Sequence, residues 1–83
     1  MATKPQPKGE VEMALGEQFR AVRRRQKVWL RDLAAKLECS VNTVRWHEAG
    51  ARMMRADMII KSAEFMGVSA DELMQIRSEP NGN

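Results

Sequence analysis

Residues 41–48, VNTVRWHE, bring together three side chains suited to recognising a partner by hydrogen bonds and flat contact. Asn42 carries a donor and an acceptor on one amide, Arg45 a forked cation, and Trp46 a broad ring with one N–H donor. Bond-making chemistry has far less to work with. The chain holds one His, one Cys and no Tyr, and it has no glycine-rich phosphate loop, so the groups that acid–base, nucleophilic or metal catalysis must converge are missing and the pattern argues against an enzyme. His47 sits on the inward face and reads as a satisfied core histidine. Cys39, without a second cysteine, excludes an internal disulfide framework and a cysteine-rich zinc site; it reads as a small buried thiol in a reducing compartment. No cofactor, metal or small-molecule ligand is expected.

The elements that must hold these side chains follow from periodicity. Ser40 is a helix N-cap and Gly50 a helix stop, which predicts a short helix over 41–48. Val44 then points inward onto Leu33 and Leu37, leaving Asn42, Arg45 and Trp46 outward. Leu30, Leu33, Ala34 and Leu37 recur at i, i+3, i+4 and i+7, which predicts a preceding helix ending near Leu37. Only Glu38, Cys39 and Ser40 join the two. So short a connection forces a steep crossing and makes the second helix project, the geometry of a helix-turn-helix. A short projecting helix fits the B-DNA major groove, where Asn pairs with adenine, Arg with guanine, and an apolar group such as Val41 with a thymine methyl; a good bidentate pair discriminates by about 1–3 kcal/mol. Trp46 either presses on sugar and methyl groups in the same way or is partly buried.

Elsewhere, Leu15, Phe19 and Val22 form the stripe of a first helix expected over about 13–26. Ile59, Ala63 and Met66 mark a fourth, closed by Gly67. In SADE, Ser69 and Glu72 form a capping box ahead of a short fifth helix whose apolar contacts are Leu73, Met74 and Ile76. The expectation is an all-α domain over 13–76, with a disordered N-terminal arm at 1–12 and a flexible C-terminal tail at 77–83. At 83 residues, 43% hydrophobic and 30% charged, this is one small unit with a marginal core, for which self-association is a natural supplement. The net charge of +3 is uneven: basic residues exceed acidic ones over 13–56, and the reverse holds over 57–83. Such asymmetry fits one face meeting a polyanion, or simply a solvated surface. No apolar run is long enough for a membrane span or a signal peptide, so a cytoplasmic protein without membrane association is expected.

The stretch LRDLAAKLECSVNTVRWHEAG resembles the helix-turn-helix of the lambda repressor and Cro-like family, also called the xenobiotic-response-element type. The likeness extends upstream through LGEQFRAVRRRQKVW and downstream through AEFMGVSADELM. It rests on the Leu33-Ala34 pair, the Ser40 to Val44 spacing, Glu48 before Gly50, and Gly67-Val68-Ser69 with Leu73 after it. The resemblance implies a compact five-helix domain that binds pseudo-palindromic operators on double-stranded DNA as a homodimer. It implies an ion pair of Arg23 with Glu48 bracing the first helix against the third, and phosphate contacts from Arg52 and Arg55 after the recognition helix. One departure stands out: where relatives carry Ser or Thr and then a phosphate-gripping Gln, this chain has Trp29 and Leu30. Arg31 or Thr43 are the candidate replacements, with Ser40 a further phosphate contact, and Trp29 packs on the body or on a sugar-phosphate chain. Ser62 stands where an apolar core residue is usual.

The function implied is a transcription regulator, a repressor of phage, plasmid or other prokaryotic type. The competing reading is an antitoxin-like protein-binding module whose acidic C-terminal end neutralises another protein, with DNA binding secondary.

Overall fold

Leu15, Phe19 and Val22 lie along one face of helix α1, Glu10–Arg25, and are at most 6% exposed in the computed structural model, which describes residues 9–75. The expected tail at 77–83, Ile76 and most of the expected arm lie outside that range. α1 begins three residues earlier than its apolar stripe suggests. Gly9 precedes it without a side-chain cap, and Glu10 and Glu12 in the first turn face the positive end of the helix dipole, while Arg23, Arg24 and Arg25 in the last turn face the negative end.

Four further helices follow: α2 Leu30–Leu37, α3 Val41–Glu48, α4 Ala56–Met66 and α5 Ala70–Leu73. No strand occurs among the described residues, and the chain is all-α. Phe19, Val22, Leu33, Leu37, Val44, Ile59, Met66 and Leu73 belong to one buried cluster. Each helix contributes to it, and helices as short as α2 and α3 persist only because of such packing. Ser62 lies inside this core, fully buried. Its hydroxyl donates to the Met58 carbonyl at 2.8 Å, so the polar atom is satisfied within its own helix.

The helix ends share one device. After α1, α2, α3 and α4 a residue with positive φ reverses the chain: Lys27 at 59°, Glu38 at 59°, Gly50 at 79° and Gly67 at 75°. At each, two amide donors fold back onto the last turn; after α2, Glu38 N–H reaches Ala35 O at 3.1 Å and Cys39 N–H reaches Ala34 O at 3.0 Å. These are Schellman closures, which satisfy carbonyls that the helix itself leaves open. The closure at Glu38 turns α2 into the three-residue connection to α3.

Two expectations for the fifth helix need correction. Ser69 Oγ accepts from Glu72 N–H at 3.1 Å, but the Glu72 carboxylate does not return the bond; it pairs with Arg25 of α1. A cation on a neighbouring helix is a stronger partner for a carboxylate than a neutral amide. Met74 is 48% exposed and is no core contact; among the described residues of that turn Leu73 is buried in the core and Ala70 packs against it. Among the described residues no helix is long and apolar enough to cross a membrane.

Candidate nucleic-acid interface

The position of α3 is set from both of its faces. Val44 is fully buried against the α2 side of the core. On the other side α1 approaches so closely that a Cβ on Gly16 would stand 2.3 Å from the His47 carbonyl oxygen and 2.6 Å from that of Glu48. Only glycine permits this contact. Arg23 of α1 then reaches Glu48, the last residue of α3: Nε donates to Oε2 at 2.7 Å and a terminal nitrogen to Oε1 at 3.2 Å. The other terminal nitrogen donates to Val28 O at 3.0 Å. The pair is nearly excluded from solvent, with side chains 13% and 7% exposed. Its bidentate geometry and third bond offset the desolvation that burial of two charges costs.

His47 completes the brace. It is 3% exposed, meets Phe19 edge-on with ring centroids 4.8 Å apart, and its Nδ1–H donates to Arg52 O at 3.3 Å. Burial holds its pKa below the ordinary histidine value, against the smaller opposing effects of the Arg52 carbonyl and the Glu48 charge. The ring is therefore neutral at physiological pH, and it is a structural histidine.

With the inner face of α3 occupied in this way, Asn42 and Arg45 face outward and are exposed, and Val41 and Trp46 are half-buried. Among the described residues Arg45 has no ion-pair partner. At the N-terminus of α3, Ser40 Oγ accepts from Thr43 N–H at 3.2 Å and lies 3.0 Å from Thr43 Oγ1. One of the two hydroxyl protons joins the pair and the other is free to be donated outward. Arg31, Arg52 and Arg55 are exposed around this surface. Their settings differ: Arg31 lies 5.7 Å from the Trp29 ring centroid, Arg52 stands 4.7 Å over the Trp46 ring, and Arg55 pairs with Asp57 at 3.3 Å. The Trp46–Arg52 contact was not legible in the sequence, because it depends on the path of an aperiodic loop.

Cys39, in the connection between α2 and α3, is a half-buried free thiol whose pKa is raised by burial. It stays protonated near neutrality and is a poor nucleophile. Among the described residues no group of three or more His, Cys, Asp or Glu is placed to hold a metal ion.

The fold that carries this arrangement, with two short helices joined by three residues, is shared with known proteins. The family model described as "Helix-turn-helix domain" matches residues 14–75. Among solved structures, the clp gene regulator ClgR from C. glutamicum is 28% identical with a TM-score of 0.70, over 82% of this chain and 88% of that one. The DNA-binding domain of BldD is 27% identical with a TM-score of 0.69, over 82% and 99%. The restriction-modification controller protein C.AhdI from Aeromonas hydrophila shares the fold at 23% identity and a TM-score of 0.68, over 74% and 92%. No curated protein matches the chain significantly. The family match spans the bundle from α1 to α5, and the chain belongs to the helix-turn-helix domain family of the lambda repressor and Cro-like type.

Proposed function

We propose that this chain is a sequence-specific regulator of transcription that places α3 in the major groove of double-stranded DNA. The observation that carries the reading is the outward face of α3: Asn42 and Arg45 are exposed on a helix whose other sides are fixed by Val44, His47 and the Arg23–Glu48 pair. Asn42 pairs with adenine, Arg45 with guanine, and Val41 and the rim of Trp46 meet methyl and sugar groups. Arg31, Ser40, Thr43, Arg52 and Arg55 hold the sugar-phosphate strands on either side and fix the register without reading sequence.

The small core and the family favour a homodimer on a pseudo-palindromic site, with half-sites about one helical turn, near 10 base pairs, apart. Occupancy of such a site blocks polymerase, so the regulator acts as a repressor in a prokaryotic cytoplasm, whether encoded by the host or by a phage or plasmid.

Selection of bound sequences from a random duplex pool, repeated with Asn42→Ala and Arg45→Ala, tests the reading. Each substitution is expected to relax preference at its own base positions. Uniformly weaker binding with unchanged preference in both variants contradicts the assignment of these residues as readers.

A further inference from the structure

Trp29 is the most exposed large apolar side chain among the described residues, at 68%. It occupies the N-cap position of α2 yet makes no capping hydrogen bond from its side chain, so neither the core nor the helix end accounts for it. Large aromatics are seldom left this open to water without a partner. The indole forms one wall of a shallow groove of about 380 Å³ whose other walls are Arg23, Leu30, Arg31, Val41 and Arg45.

The chemistry of this groove is specific. It combines a flat apolar face with arginines, of which only Arg23 is paired with a carboxylate, that of Glu48, while Arg31 rests 5.7 Å from the centroid of the Trp29 ring itself. Asp32, the acid in the first turn of α2, does not line it. Trp beside Arg also occurs in protein-binding hot spots, but a protein partner would have to bring acidic groups to Arg31 and Arg45; a flat ring beside cations without carboxylate partners, next to the exposed face of α3, matches a sugar-phosphate unit, apolar on the sugar and anionic on the phosphate. Position agrees with this, because Val41 and Arg45 belong both to the groove and to the outward face of α3. The two side chains proposed to meet bases therefore border the same groove as Trp29.

We infer that this groove is a subsite for one deoxyribose-phosphate of the bound strand, with the Trp29 ring packed on the sugar and Arg31 on the phosphate. The inference rests on the DNA reading above and adds to it an uncharged aromatic contact at the start of α2. It makes Trp29 a contributor to affinity and not to base preference.

The test uses the full chain and a duplex of about 20 base pairs taken from the random-pool selection, long enough for two half-sites. Trp29→Ala, at an exposed site, is expected to leave the thermal midpoint within about 2 °C of wild type. It is expected to weaken binding of selected and unrelated duplexes alike, by roughly tenfold if about 60 Å² of apolar surface is no longer covered, with base preference unchanged; Trp29→Phe should recover most of the loss. In two-dimensional NMR the Trp29 indole N–H signal, assigned by its loss in Trp29→Phe, should shift on duplex addition. Wild-type affinity in Trp29→Ala with an unmoved indole signal overturns the inference while leaving the DNA reading intact. So does an altered base preference in that variant, or an indole signal that moves with protein concentration and not with DNA. Failure of the wild-type chain to bind any duplex at low ionic strength removes the DNA reading itself.

Discussion

The Arg52 guanidinium stands 4.7 Å over the ring of Trp46, while the Arg52 carbonyl accepts from His47 one residue further along the same helix. The loop after α3 is thus fastened to that helix at both the backbone and the side chain of one residue, and a flexible cation is held against the proposed DNA surface. Cation–π contacts at such partly exposed sites are worth about 0.5–1 kcal/mol, too little to drive folding and enough to choose a rotamer.

From this contact Arg52→Ala is expected to lower the slope of log K against log salt by about 0.9, the amount for one phosphate. Trp46→Ala should lose part of the same increment through the freed arginine, so the double variant falls short of the sum of the two single effects. A double-mutant cycle measured by salt titration checks this; strict additivity shows that Trp46 does not position Arg52.

Glu48→Ala leaves Arg23 buried without its carboxylate and is expected to destabilise the domain by about 3–5 kcal/mol. Urea unfolding checks the magnitude. Replacing both residues, as in Arg23→Met with Glu48→Leu, should cost less than the single change. Any loss of DNA binding in Glu48→Ala should follow the folded fraction if the pair acts by bracing α3.

Two glycines separate steric from backbone demands. Gly16→Ala places a Cβ against the carbonyls of His47 and Glu48 and is expected to cost about 1–3 kcal/mol despite the better helix propensity of alanine. Gly67→Ala meets nothing within 4 Å and carries only the left-handed backbone penalty of about 1–2 kcal/mol. Denaturant midpoints for the two give the stabilities; of the pair, Gly16→Ala alone should also weaken DNA binding of the folded protein, by displacing α3.

His47 makes stability depend on pH in a defined direction. Burial lowers its pKa in the folded state, so the unfolded chain binds the proton more readily. The contribution is fully present above the ordinary histidine value of about 6.5 and is lost as pH falls from there through the folded pKa. Denaturant midpoints should therefore fall as the pH is lowered below about 6.5, the ordinary histidine value. His47→Gln, less stable throughout, should show a flatter profile over the same interval; an equal drop in that variant assigns the effect to other groups.

Much of this was legible in the sequence, and the rest was hidden for identifiable reasons. The outward placement of Asn42 and Arg45 follows from the period that turns Val44 inward, and the stops at Gly50 and Gly67 follow from the residue that tolerates positive φ most easily. The identical closures at Lys27 and Glu38 carry no such mark, because those residues adopt the left-handed conformation only under the hold of the surrounding turn. The capping box at Ser69 was half right: Glu72 is at the expected spacing, but Arg25, forty-seven residues away in the chain, takes its carboxylate. Local patterns cannot register a competitor delivered by tertiary packing. The early start of α1 was missed because Gly9 provides no capping side chain to announce it.

The central claim is that the outer face of α3 enters the DNA groove, and amide chemical-shift mapping of the full chain against a selected duplex at low ionic strength tests it most directly. The account predicts that the largest shifts fall on Val41, Asn42, Arg45 and Trp46, with secondary shifts at Arg31, Arg52 and Arg55. Shifts confined to the face formed by α1 and α5, with the amides of α3 unmoved, contradict it.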